Sequence, residues 1–114
     1  MYKNFLFVCS ANIQRSKTGE DYFSKIYPNL NFKSAGTNIK ICQKEGTNPL
    51  TEEMLVWADI VFVMENKHLK LINENSVYKY ASKIILLSIE DKYKYYQKEL
   101  IKIMVEKTEK YFPE

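Results

Sequence analysis

Near its N-terminus the chain carries a short apolar run, Phe5-Leu6-Phe7-Val8, straight into Cys9-Ser10-Ala11-Asn12-Ile13-Gln14-Arg15-Ser16, and few folds accommodate that junction. A continuous apolar run is the pattern of a parallel strand covered on both faces. The segment from Ser16 to Ile26 that follows has Gly19, Tyr22, Phe23 and Ile26 at helical spacing. A loop between such a strand and a helix aims backbone N–H groups at one point, where the helix dipole also favours negative charge. Cys9, at the strand end, falls at the bottom of that bowl, where the field that binds a phosphate dianion also favours a thiolate. Arg15 can return to the rim and hold two phosphoryl oxygens with its planar fork, and Ser16 can donate its hydroxyl to the Cys9 sulfur. The bland alternative makes Cys9 a small buried hydrophobe and Arg15 a surface residue. The strand–loop–helix setting favours a nucleophile inside a preformed anion cradle.

The rest of the chain repeats the strand–helix alternation. Leu30 to Ser34 reads as a second strand, Thr51 as the N-cap of a helix ending near Ala58, and Ile60 to Met64 as a third, fully buried strand. Leu50 and Leu55 are spaced to staple the start of that helix. Asn66 to Ile72 reads as a short helix, Lys83 to Leu87 as a fourth strand, and Gln97 to Tyr111 as a closing helix. The polar stretch from Asn38 to Pro49 shows no clear periodicity. The expected fold is an α/β single-domain three-layer sandwich over residues 1–114, with a four-stranded mostly parallel sheet and helices on both faces. Ligands in such folds bind beyond the carboxyl ends of the strands, which places the phosphate-binding loop after the first strand.

Residue counts remove other chemistries. With two cysteines, Cys9 and Cys42, and one histidine, His68, neither a disulfide framework nor a cysteine zinc site can be assembled. His68, on a short amphipathic segment, reads as a surface residue, and Cys42 as an ordinary thiol. Arg15 is the only arginine among 17 basic residues, so its position calls for the five-donor fork rather than for charge alone. The net charge of +3 is too small to argue for nucleic acid. The apolar runs are too short to cross a bilayer or to form a signal peptide, so no membrane association and a cytoplasmic location are expected.

Residues 5 to 16 resemble the N-terminal motif of the low-molecular-weight protein tyrosine phosphatases. Ser34-Ala35-Gly36-Thr37 is similar to their S-A-G-T segment, and Ala58-Asp59-Ile60-Val61-Phe62-Val63-Met64 to their A-D-x-I-x-x-M stretch. The likeness is strongest to the short bacterial branch. It implies a cysteine-dependent hydrolase of phosphate monoesters, with a phosphocysteine intermediate and no cofactor or metal. Cys9 would be the nucleophile, Arg15 the clamp, and Ser10, Ala11, Asn12, Ile13, Gln14, Arg15 and Ser16 the phosphate-binding loop. The implied partner is a phosphorylated, phosphotyrosyl protein or a small aryl phosphate. An apolar residue at Ile13 goes with the tyrosine phosphatases, whereas threonine there goes with the protein-arginine phosphatases.

A leaving alkoxide or phenoxide needs a proton. Of the three aspartates, Asp21 lies within the first helix and Asp59 precedes a buried strand. Asp91 lies after the fourth strand, and Asp91-Lys92-Tyr93 is similar to the family's acid-bearing D-P-Y motif, with Glu90 as the alternative acid. Tyr93 would wall the pocket against an aryl ring. Several positions depart from the pattern: Lys92 and Lys17 replace prolines, Ala11 a glycine, and Gln14 a second cysteine. Ala11 is acceptable only where the backbone avoids positive φ. These departures keep open a catalytically impaired phosphoprotein- or anion-binding module. An arsenate reductase lacks its cysteine relay here, and a phosphocysteine carrier of the sugar-transport type needs no arginine at Arg15.

Overall fold

The computed structural model describes residues 1–113. Four parallel strands, β1 (Asn4–Cys9), β2 (Asn31–Gly36), β3 (Ile60–Val63) and β4 (Ile84–Leu86), form one sheet in the order β2-β1-β3-β4. The helices are α1 (Arg15–Ile26), α2 (Ile39–Glu45), α3 (Glu52–Trp57), α4 (Asn66–Ser76) and α5 (Lys98–Thr108), the last extended by a 3-10 turn over Glu109–Tyr111. The sandwich expected from the sequence is the fold observed, and α2 is the addition to it.

Alternation along β1 divides its side chains between two cores. Phe5, Phe7 and Cys9 face a cluster with Phe23, Phe32, Phe62, Leu100, Met104 and Phe112, under α1 and α5. Leu6 and Val8 face Ala35, Leu55, Val61, Val63 and Ile72, under α3 and α4. The first cluster is built on aromatic contacts, with Phe7 stacked on Phe23 at 5.6 Å and on Phe62 at 5.1 Å between centroids. Truncating Phe7 to alanine would cost about 3–5 kcal/mol.

Thr51 caps α3 as expected, its hydroxyl accepting from Met54 N at 3.3 Å. Asp59 accepts from the backbone N–H groups of Lys3 (2.8 Å) and Asn4 (2.9 Å), tying the start of β1 to the start of β3 and holding its own carboxyl below the usual range. Ile26 is half exposed, so it lies outside the buried stripe expected of α1. The stretch without clear periodicity contains α2. Asn38 caps it through Ile41 N at 3.1 Å, and Gly46 ends it at φ 72°, a conformation that costs a glycine nothing. Only Cys42 of α2 is buried, so no apolar stripe was there to read.

Candidate active site

β1 has β2 on one side and β3 on the other, so the connections leaving its neighbourhood diverge and open a crevice at its carboxyl end. Cys9 ends β1 there, and by strand parity its sulfur points to the α1 side of the sheet. Residues 10 to 14 loop from it into α1.

The loop turns its carbonyls outward. Cys9 O accepts from Thr37 N (2.9 Å), Ser10 O from Asn38 N (2.9 Å), and Ala11 O from the Thr47 hydroxyl (2.7 Å). Among the described residues, no backbone N–H from Ala11 to Arg15 donates to a protein acceptor, which leaves those donors for an anion. Gly36 lets the loop approach β2: a Cβ there would meet Ser10 O at 2.4 Å and Cys42 Sγ at 2.6 Å. The left-handed residue of the loop is Asn12 (φ 57°), not Ala11, so alanine is tolerated where the family has glycine.

Asn12 is nearly fully buried and organises the surroundings of Cys9. Its Oδ1 accepts from Asn48 N (3.1 Å), which orients the amide, and its Nδ2 donates to Ser16 Oγ (2.8 Å). The Ser16 hydroxyl proton is thereby free for Cys9 Sγ, 2.9 Å away. This polarity makes Ser16 the donor toward the Cys9 sulfur.

Arg15 is only 2% exposed and its fork is half occupied. Nη1 donates to Glu65 Oε1 (2.6 Å) and to the Ile89 carbonyl (2.7 Å), using both of its protons. The Nε–Nη2 edge is left for two oxygens of one anion, with Asp91 Oδ1 at 3.8 Å from Nε. The guanidinium holds the Glu65 carboxyl below its usual range, against the opposing effect of burial.

His68 is 1% exposed, which corrects its reading as a surface residue. Glu65 and His68 form a capping box at the start of α4: Nδ1 accepts from Glu65 N (3.0 Å), so Nε2 carries the proton and donates to Ser10 Oγ (2.9 Å). Burial, reinforced by the Arg15 charge, pushes the His68 pKa down to about 4. Periodicity and residue counts do not assign Glu65 or His68 to the site. The available signal was a Glu-x-x-His spacing directly after a buried strand.

Cys9, Ser10, Ala11, Ile13, Gln14, Arg15 and Asp91 line a cavity of about 200 Å³. Asp91 stands at its mouth, largely exposed, whereas Glu90 is absent from the lining and pairs with Lys92 at 3.8 Å. Tyr93 does not line the cavity; its ring is half-buried against the aromatic core. Tyr95, with Ile13 and Lys17, walls a neighbouring depression of about 460 Å³.

Comparison with solved structures places this arrangement in a known architecture. The tyrosine phosphatase AmsI of Erwinia amylovora superposes with a TM-score of 0.76 at 24% identity, over 97% of this chain and 91% of that one. The fold is that of the low-molecular-weight tyrosine phosphatases. The phosphatase Wzb of Escherichia coli K30, in complex with phosphate, gives the same TM-score at 21% identity, over 97% of this chain and 96% of that one. In sequence, a Klebsiella pneumoniae protein named, provisionally, a low molecular weight protein-tyrosine-phosphatase is 28% identical over 91 residues. That match spans 64% of this chain and 63% of the relative's own length. No family model matches the chain.

On this phosphatase fold, the remaining departures are accommodated locally. Lys17 is neutralised by Glu20 (3.4 Å) and Asp21 (3.2 Å), which offsets a cation at a helix N-terminus. Gln14 turns its side-chain oxygen to the backbone N–H of Tyr95. Cys42 lies behind the loop, its sulfur 3.6 Å from Ala11 O. Among the described residues, no helix is long and apolar enough to cross a membrane.

Proposed function

We propose that this chain hydrolyses phosphate monoesters of the aryl type, phosphotyrosyl side chains foremost, through a phosphocysteine, as one domain of residues 1–114 working in the cytoplasm. The supporting observation is that Asp91 stands at the mouth of the cavity whose wall holds Cys9 and Arg15. The phosphoryl group enters with its oxygens toward the free loop amides and the Nε–Nη2 edge of Arg15. The Cys9 thiolate attacks phosphorus, the bond to the leaving oxygen breaks, and Asp91 gives that oxygen its proton. Water then attacks the phosphocysteine, Asp91 takes a proton from it, and the S–P bond breaks to release phosphate. The same donors neutralise the equatorial oxygens in both steps.

The phosphoryl group takes the donors of the loop, and the aryl ring points toward the mouth of the cavity. Ile13 and Tyr95 border the adjoining depression and offer that ring a wall. Tyr93 is the wall that the family resemblance implies, and comparing Tyr93→Ala with Tyr95→Ala in KM for an aryl phosphate separates the two.

The deciding experiment is turnover of 4-nitrophenyl phosphate at mildly acidic pH, with vanadate as competitor. Wild type is expected to be active, Cys9→Ser inactive, and Asp91→Asn slowed about a hundredfold. Full activity in Asp91→Asn would move the acid to Glu90. The exposure of Asp91 and the lysine at 92 favour one second reading, an anion-binding module without turnover. Vanadate binding by an inactive wild type would establish it.

A further inference from the structure

The Asp91 loop has lost the proline that the resembled family carries beside its acid, yet it is anchored at both ends. On the entering side, Leu87 N donates to Val63 O (2.9 Å), Ile89 N donates to Met64 O (2.8 Å), and Ile89 O accepts from Arg15. On the leaving side the anchors are side chains of the cradle and of α1. Tyr95 N donates to Gln14 Oε1, and Tyr96 N donates to Thr18 Oγ1 (2.8 Å). The Thr18 hydroxyl spends its single proton on Gln14 O (2.7 Å), so its lone pair is what receives Tyr96. Tyr96 sits at φ 61°, a conformation that a bulky residue keeps only where its surroundings enforce it. Only Glu90 to Lys94 remain between the anchors, and Lys94 N is itself held by Gln97 Oε1 (2.8 Å). Releasing Tyr95 and Tyr96 would lengthen the free span to the start of α5, and the carboxyl of Asp91 would sample a wider volume.

We propose that Gln14 and Thr18 are positioning residues that latch the Asp91 loop onto the anion cradle and so set where the acid delivers its proton, an inference that rests on the hydrolase reading above. The cradle and the acid are then one mechanical unit. In this chain a glutamine where the family has its second cysteine takes over a task that the missing proline left undone.

The test compares leaving groups. Removing the acid slows both substrates, but its exact placement matters less for 4-nitrophenyl phosphate than for phenyl phosphate, whose leaving oxygen is far more basic. The near-isosteric Thr18→Val should lower kcat/KM for phenyl phosphate about tenfold while changing that for 4-nitrophenyl phosphate less than about threefold, and Gln14→Ala should lower kcat/KM for phenyl phosphate by a similar factor. Thr18→Ser should restore both. Thr18→Val should leave competitive inhibition by inorganic phosphate unchanged, and both variants should speed amide hydrogen exchange over residues 90–97. Equal losses on the two substrates, or unchanged exchange in folded variants, would overturn the latch while leaving an active hydrolase. Absence of turnover in the wild type would instead sink the hydrolase reading itself.

Discussion

The two loops that meet over the cavity are built on opposite plans. The loop from Cys9 to Arg15 is tied by its own carbonyls and by the buried side chains of Asn12 and His68, so few of its atoms can move without breaking a hydrogen bond. The loop bearing Asp91 is exposed and depends on borrowed side chains for its hold on α1. The difference matches what the proposed chemistry asks of each. Donors that stabilise charge act best when fixed beforehand, whereas an acid that also activates water must leave room for substrate and product.

The first way to break this contrast is acid. His68 is neutral in the folded protein, with its pKa at about 4 against 6.5 when unfolded, because burial and Arg15 oppose its charge while Glu65 and Asp91 only partly compensate. Protons therefore bind the unfolded chain preferentially between those values, and stability falls as pH drops from 6.5 to about 4, by on the order of 3 kcal/mol. Glu65, whose pKa is lowered, contributes stability that is lost only below the usual carboxylate range. Denaturant midpoints across pH 7 to 4.5 should show the decline, and His68→Gln should flatten it. A wild-type midpoint constant over that window would remove His68 as the weak point of the cradle.

A smaller effect is expected at the crossing of the cradle with β2. Gly36→Ala drives a Cβ into the Ser10 carbonyl and the Cys42 sulfur, backbone on one side and a packed side chain on the other. About 2 kcal/mol of stability should be lost. Vanadate affinity should fall with it, because the Ser10 backbone cannot shift without moving the donors that follow. Retained vanadate affinity would mean that the cradle is more compliant than its hydrogen bonds imply.

The smallest effect sharpens the contrast from the other side. Lys92→Pro should stiffen the exposed loop and raise stability by about 0.5 kcal/mol through the unfolded chain. In the Thr18→Val background it should recover part of the lost turnover of phenyl phosphate. No recovery there would mean that the latch does more than limit the loop's freedom.

What the sequence disclosed follows the same division. Cys9, Ser16 and Arg15 were readable because a strand, a loop and a helix N-terminus lie consecutively in the chain, and their spacing is the geometry. Asp91 was readable through a short motif. Glu65 and His68 reach the cradle from the start of α4, and their roles depend on a sheet order that periodicity does not encode. Helix α2 is not legible in the sequence pattern because capping at Asn38 and Gly46, rather than an apolar face, defines it. Tyr95 carries its message in a backbone N–H, which no residue type announces.

The parity of β1 has a consequence for how such a site can change. Phe5, Phe7 and Cys9 share one face, and Leu6 and Val8 the other, so the sulfur's side of the sheet is counted off from Asn4 one residue at a time. Deleting any single residue between Phe5 and Val8 while keeping the pairing with Asn31 would turn Cys9 toward α3 and α4, away from Ser16. Deleting two would restore its direction and shorten the strand. Length variation ahead of this cysteine is thus tolerable only in even steps.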